Sequence, residues 1–292
     1  MDRIAKSERR PGPDFIVIGA MKCATSTVCK YLEDHPDVDM VPGCEPNYFS
    51  HDDNYAKGPD WYGRFFADFS GDRIRGEGSN DYVSGAMFPE SAARMAADFP
   101  DVKLVYMVRH PLRRIISAWT QNRVDSGDVF PPTPDRAVTE MPERYIDRSL
   151  YWKNLSRYRA HFDDAQIFIG FMEDLSRDPD RFWADLCGFL GVAPNTAAAA
   201  IHANPSQGKR VPTGAYSRLN ALSLVRGLKR VLPKRVTGFV KDRFLSREAA
   251  AAPWFSPETE ARLCQKLRPD AEQLLAHCGK PADFWNLRGS KV

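Results

Sequence analysis

A lysine three residues after a glycine, in the run FIVIGAMKCATSTVCKYL (Phe15–Leu32), is the first place where this sequence could do chemistry. The apolar stretch Phe15–Ile18 reads as a strand that stops at Gly19. Small residues follow, Cys23, Ala24, Thr25, Ser26 and Thr27, with Lys22 at their head, and an amphipathic segment starts near Ser26. Strand, small-residue loop and helix N-terminus together aim backbone N–H groups at one point and suit a phosphate-like anion. The spacing is not that of a Walker A loop. Counted from Gly19, the positions that such a loop fills with Gly-Lys-Ser/Thr hold Ala24, Thr25 and Ser26. The same residues also read as a plain βα turn with a surface lysine.

A second pair lies further on. Lys103–Val108 (KLVYMV) is β-branched and aromatic enough for a buried strand. It runs into Arg109-His110-Pro111, and Pro111 suits the first position of the helix that follows. Arg109 therefore stands at the carboxyl end of a strand, where open α/β sheets bind ligands. Ser117, eight residues on, is placed to meet the same ligand. Taken alone, the two also read as a salt-bridged arginine and a serine on a helix face. Glu45, between Pro42-Gly43 and Pro46, reads on its own as a surface glutamate.

Together these segments resemble the sulfotransferases that use 3′-phosphoadenosine-5′-phosphosulfate. Lys22 with Cys23, Ala24, Thr25, Ser26 and Thr27 matches the loop for the 5′-phosphosulfate, and Arg109 with Ser117 matches the pair for the 3′-phosphate. Cys44-Glu45-Pro46-Asn47-Tyr48-Phe49 is similar to the Lys-Glu-x-x-(Phe/Tyr)-Phe segment of the heparan-sulfate-type branch. Asn54–Tyr62 resembles the stretch after it in the N-sulfotransferase branch. Gly76–Tyr82 (GEGSNDY) resembles a Gly-Glu-x-(Thr/Ser)-x-x-Tyr segment. Glu173-Asp174-Leu175 with Asp178-Pro179, and the late basic loop Gly208-Lys209-Arg210, fall in the expected order. The matches run from about Asp14 to Pro212, with a weaker echo over Trp254–Leu287. The sequence departs from the pattern at Cys44, where lysine is frequent, at Asn47, where some branches have histidine, and at Ala24, where glycine is common.

The resemblance implies an α/β fold, a mostly parallel central sheet with helices on both faces, of the P-loop-like sulfotransferase kind. It implies that Lys22 stabilises the leaving group and Glu45 is the base, His51 being the nearest histidine that could replace it. Gly208, Lys209 and Arg210 join Arg109 and Ser117 on the 3′-phosphate, and Asn47, Asn80 and Tyr82 line the acceptor pocket. No metal is required, and the product is 3′-phosphoadenosine 5′-phosphate (PAP). The acceptor is a hydroxyl or amine, on a carbohydrate or glycolipid among other small acceptors.

The elements needed to position these groups are legible as alternating strands and helices: strand 15–18, helix 26–35, a loop-rich insertion over 41–65, strand 74–76, helix 89–98, strand 103–108, helix 111–123, loop 125–134, helix 145–161, strand 166–171 and helix 179–190. Such alternation gives a parallel sheet. One domain over 14–292 is expected, after a disordered tail over 1–13. A basic helical insertion is expected at about 214–250. Within it, Ser217–Arg243 carries leucines at helical spacing and reads as a solvated cationic face, an attractor for an anionic acceptor, or a peripheral membrane contact.

Composition narrows the classes. A net charge of +3 does not point to nucleic acid. Six scattered cysteines without a Cys-x-x-Cys argue against a zinc site or a disulfide scaffold and fit a reduced, cytoplasmic protein. No apolar run approaches the ~20 residues of a membrane span. Two other classes stay open on the sequence: a P-loop-type nucleotide kinase or NTPase, and a non-catalytic protein that binds anionic glycans or lipids.

Overall fold

The computed structural model describes residues 12–43, 45–69, 71–195 and 253–287. Five strands, β1 (Phe15–Gly19), β2 (Val38–Met40), β3 (Ile74–Gly78), β4 (Lys103–Val108) and β5 (Ile167–Phe171), form one sheet in the order β2-β3-β1-β4-β5. Every neighbouring pair is parallel. β1 is buried along its whole length and β4 at all but its first residue, so both faces of the sheet centre are covered. The sequence pattern predicts this architecture, and the structure has it. β1 and β3 approach closely: a Cβ on Gly76 would stand 2.0 Å from the Phe15 ring.

The connections are helical. α1 (Thr25–Glu33) follows β1, α4 (Ser91–Asp98) precedes β4, and α5 (Pro111–Ser126) follows it. The insertion after β2 contains two short helices, α2 (Asp52–Tyr55) and α3 (Pro59–Gly63). The Tyr48 ring packs on both, stacked nearly parallel on Tyr62 of α3 at 4.5 Å and tilted against Tyr55 of α2 at 5.2 Å. After α5 come α6 (Pro134–Glu140), α7 (Pro142–Tyr145), α8 (Tyr151–Arg159), α9 (Met172–Arg177), α10 (Pro179–Leu190) and α11 (Pro257–His277).

Three expectations are corrected. Gly12 and Pro13, expected to lie in the tail, are buried; residues 1–11 lie outside the described residues. The loop expected over 125–134 is shorter, because α5 continues to Ser126 and a 3₁₀ turn follows at Gly127–Val129. The long helix expected over 145–161 is divided into α7, a 3₁₀ turn at Asp147–Ser149, and α8. The division has a physical cause. The buried Arg114 of α5 donates to the Tyr145 carbonyl and to Ser149 Oγ, each at 2.7 Å, which takes that carbonyl out of a helical ladder. α8 then restarts with its N-terminal amides capped from outside: Asp270 of α11 accepts from Trp152 N at 3.0 Å and Lys153 N at 2.8 Å. Cys44, the loop 208–210 and the basic segment 214–250 lie outside the described residues.

Candidate active site

The sheet order fixes where a ligand can sit. From β1 the chain crosses to the β2 side, and from β4 it crosses to the β5 side. The crevice between the carboxyl ends of β1 and β4 is thus the topological switch point. Two loops meet there. In the loop after β1, Lys22 (φ 73°) and Ala24 (φ 65°) both adopt left-handed backbone, a conformation that costs a non-glycine residue roughly 1–2 kcal/mol. Ala24 is also the N-cap of α1. It offers no side-chain cap, and the first turn holds no acidic residue. The leading amides and the positive end of the helix dipole are therefore not neutralised by α1 itself.

Lys22 Nζ donates to Gln121 Oε1 of α5 at 3.3 Å, and Arg109 Nη1 donates to the Lys22 carbonyl at 3.4 Å. Ser117 precedes Gln121 by four residues and so shares its helix face; it is half-buried. Lys22, Arg109 and the Ser117 face of α5 are thereby brought to one corner. Thr25 is buried, Thr27 half-buried and Ser26 exposed at the start of α1. Cys23 faces away from this corner. Its thiol is buried, lies 3.6 Å from the Tyr151 hydroxyl, and is pushed by burial up to about 11, so it can serve a ligand only through its backbone.

Beneath the loop lies a second cationic layer that the sequence reading does not single out. Arg114 is fully buried and its partners are neutral oxygens; among the described residues its Nη1 has no hydrogen-bond partner. Burial lowers its affinity for its proton, while its charge acts on Cys23 in the loop above. His110, buried beside Arg109, donates its backbone N–H to Glu173 Oε1 at 2.8 Å. Burial, with Arg113 and Arg109 nearby, pushes the His110 ring down to about 4, which keeps it neutral. Gln121, too, carries no sequence signal apart from its place one turn after Ser117.

The candidate base stands on the other flank of β1. Glu45 is exposed, and its Oε1 accepts from Asn80 Nδ2 at 2.6 Å. Asn47, left-handed at φ 49°, donates from Nδ2 to the Glu45 carbonyl at 3.2 Å. These two of the expected acceptor residues do surround Glu45. Tyr82 does not line the cleft: its ring is buried, and its hydroxyl accepts the Tyr48 backbone N–H at 3.0 Å. His51 is committed elsewhere. Its Nε2 lies 3.4 Å from Asp81 Oδ2, its ring packs on Phe88, and Asp81 is in turn bound by the buried Arg148 at 2.8 Å. Among the described residues no group of three His, Cys, Asp or Glu side chains is placed to hold a metal ion. Nor is any helix long and apolar enough to cross a membrane.

The chain is similar to known proteins. A sulfotransferase-domain family model matches residues 12–212. Human heparan sulfate glucosamine 3-O-sulfotransferase 3B1 is 31% identical over 187 residues, covering 62% of this chain and 46% of that protein. The bifunctional heparan sulfate N-deacetylase/N-sulfotransferase 1 of Caenorhabditis briggsae is 26% identical over 216 residues, covering 67% of this chain and 24% of that protein. The chain thus spans about half the length, or less, of these curated relatives. A sulfotransferase from Alicyclobacillus acidocaldarius superposes with a TM-score of 0.65 at 24% identity, over 94% of this chain and 98% of that one, which shows a shared fold.

Proposed function

Because the chain belongs to the sulfotransferase domain family, we propose that it moves a sulfuryl group from 3′-phosphoadenosine-5′-phosphosulfate to a hydroxyl or amine of a glycan acceptor. The observation that carries this reading is the joining of Lys22 and Arg109 at the β1/β4 rim, with Glu45 presented from the adjacent flank of β1. The residues suit the donor. An uncapped helix N-terminus and two cations form an anion-seeking corner.

When bound, the donor supplies an activated sulfuryl group. The loop Lys22–Thr27 holds its 5′ end on backbone N–H groups, and Lys22 offers charge where the leaving oxygen becomes negative. Arg109 and Ser117 hold the 3′-phosphate, joined by Gly208, Lys209 and Arg210, which lie outside the described residues. Glu45 takes the acceptor's proton. Asn80 orients this carboxylate while leaving its second oxygen for that task. The acceptor of this reading, a glycan of the heparan sulfate type, is supported by the names of the curated relatives.

The test has two parts. PAP is expected to raise the thermal midpoint while ATP with magnesium does not. Incubation with donor and heparan-type oligosaccharides is expected to add the mass of SO₃ to the oligosaccharide. A shift with ATP-magnesium alone would transfer the protein to the nucleotide kinases. PAP binding without any sulfonated product would leave a glycan acceptor without support.

A further inference from the structure

The strand that carries Asn80 at its end also carries a carboxylate that the reaction outlined above does not use. Glu77 of β3 is fully buried. Its Oε1 accepts from the Tyr62 hydroxyl at 3.0 Å and its Oε2 from Ser79 Oγ at 2.8 Å, and the Tyr82 hydroxyl stands beside the carboxyl. Two of these hydroxyls face the loop that bears Glu45. Ser79 Oγ accepts the Asn47 backbone N–H at 3.1 Å, and the Tyr82 hydroxyl accepts the Tyr48 N–H at 3.0 Å.

We propose that Glu77 is a positioning residue for Glu45, gripping the loop 45–48 through two relays, Asn47 N–H to Ser79 to Glu77 and Tyr48 N–H to Tyr82 to Glu77. A hydroxyl that donates to an anion is a stronger acceptor in turn, so the buried charge is felt at both loop amides. The hydrogen bonds suit the ionised form, and burial opposes it. Two hydroxyls donate to the carboxylate and a third, of Tyr82, stands beside it; its partners among the described residues are hydroxyls rather than cations. A glutamine offers one acceptor oxygen and two N–H donors, so at least one relay would have to reverse.

The same arrangement makes the grip sensitive to pH. Burial pushes Glu77 up to about 7, and the charge of Glu45 adds to the rise. The titratable groups that face it are Tyr62 of α3, Tyr82 of its own strand end, Tyr158 of α8, Cys29 of α1 and Glu45 itself. Burial also raises Tyr62, Tyr82, Tyr158 and Cys29, so all four stay protonated near neutrality. Glu77 is thus the member of this buried group that changes charge there. The role rests on the reading of Glu45 as the base; the hydrogen-bonded linkage does not.

Hydrogen exchange on the full chain tests the linkage directly. In Glu77→Gln at pH 8, the Asn47 and Tyr48 amides are expected to exchange at least ~10-fold faster, with β1 and β4 amides unchanged. In the wild type the same two amides, corrected for intrinsic rates, are expected to lose protection between pH 8 and pH 6. Transfer turnover is expected to fall with PAP affinity unaltered. If Glu77→Gln does not fold, Tyr82→Phe removes one relay alone and is expected to release the Tyr48 amide but not that of Asn47. Unchanged protection at both amides overturns the proposal even in an active sulfotransferase. A wild type that neither binds PAP nor transfers overturns the role of Glu45, and its result is read in a separate measurement.

Discussion

Arg109 donates from Nη1 to the backbone carbonyl of Lys22 across 3.4 Å, so the loop after β4 is fastened to the loop after β1 at the head of the sheet. The guanidinium keeps further donors for a phosphate on its open side. PAP is therefore expected to bind more tightly than adenosine 5′-phosphate, and Arg109→Ala to remove most of the difference. Charge-assisted bonds worth about 1.5–3 kcal/mol each put the loss at roughly 10- to 100-fold. Calorimetry with the two nucleotides on wild type and variant measures it, and equal affinities in the wild type would sink the donor assignment.

Lys22→Ala is expected to lower turnover by about 10²–10³-fold while weakening PAP binding far less. The lysine's main interaction is with charge that develops during transfer. Its bond to Gln121 holds the ammonium at the corner between the two loops in the meantime. If only the Michaelis constant moves, Lys22 binds the donor and does not stabilise the leaving group.

Glu45→Gln is expected to cost about 10²–10⁴-fold in turnover and leave PAP affinity near that of the wild type. Glutamine keeps an oxygen for Asn80 but cannot take the proton. His51→Ala is expected to retain most activity, because the His51 ring is engaged by Asp81 and Phe88. The opposite pattern, an active Glu45→Gln beside an inactive His51→Ala, would move the base to His51.

Global stability is expected to fall as pH rises from about 4.5 to about 7 because of Glu77. Its folded form holds a proton over that window that the unfolded chain has already released. The difference between about 7 folded and 4.5 unfolded corresponds to about 3 kcal/mol. Urea unfolding of Glu77→Gln at several pH values in this window is expected to show a flatter profile than the wild type. Superimposable profiles would mean that Glu77 does not titrate there.

Ala24→Gly is expected to stabilise the chain by about 0.5–1 kcal/mol, since glycine adopts φ 65° without the Cβ penalty, less the entropy it adds to the unfolded chain. A lower thermal midpoint would show that the methyl group's packing outweighs the backbone relief.

How far the sequence reaches depends on the range of the forces involved. β1, β4 and the start of α5 are legible because strands buried on both faces must be nearly all apolar and because Pro111 marks a helix start. β2 is not legible, because three residues, Val38–Met40, are too few to show a period. The division of 142–159 is imposed by Arg114, a side chain from another helix, which no local pattern can reveal. In the site, Lys22 and Arg109 stand out by spacing and loop context, and Glu45 by its resemblance to a family segment. The buried Tyr82 and the Glu77 relays depend on contacts between segments distant in sequence, and a glutamate in a short motif looks the same on the surface as in the core.

The strand order also carries a schedule. β1 leaves the ribosome first, yet both its partners, β3 and β4, are made much later, after α1, β2 and the whole insertion. At about 5–20 residues per second, the apolar segment Phe15–Gly19 waits several seconds before either edge can be covered. The most water-averse strand of the sheet is thus the one exposed longest during synthesis. A chaperone that recognises short extended apolar segments would meet this sheet first at β1.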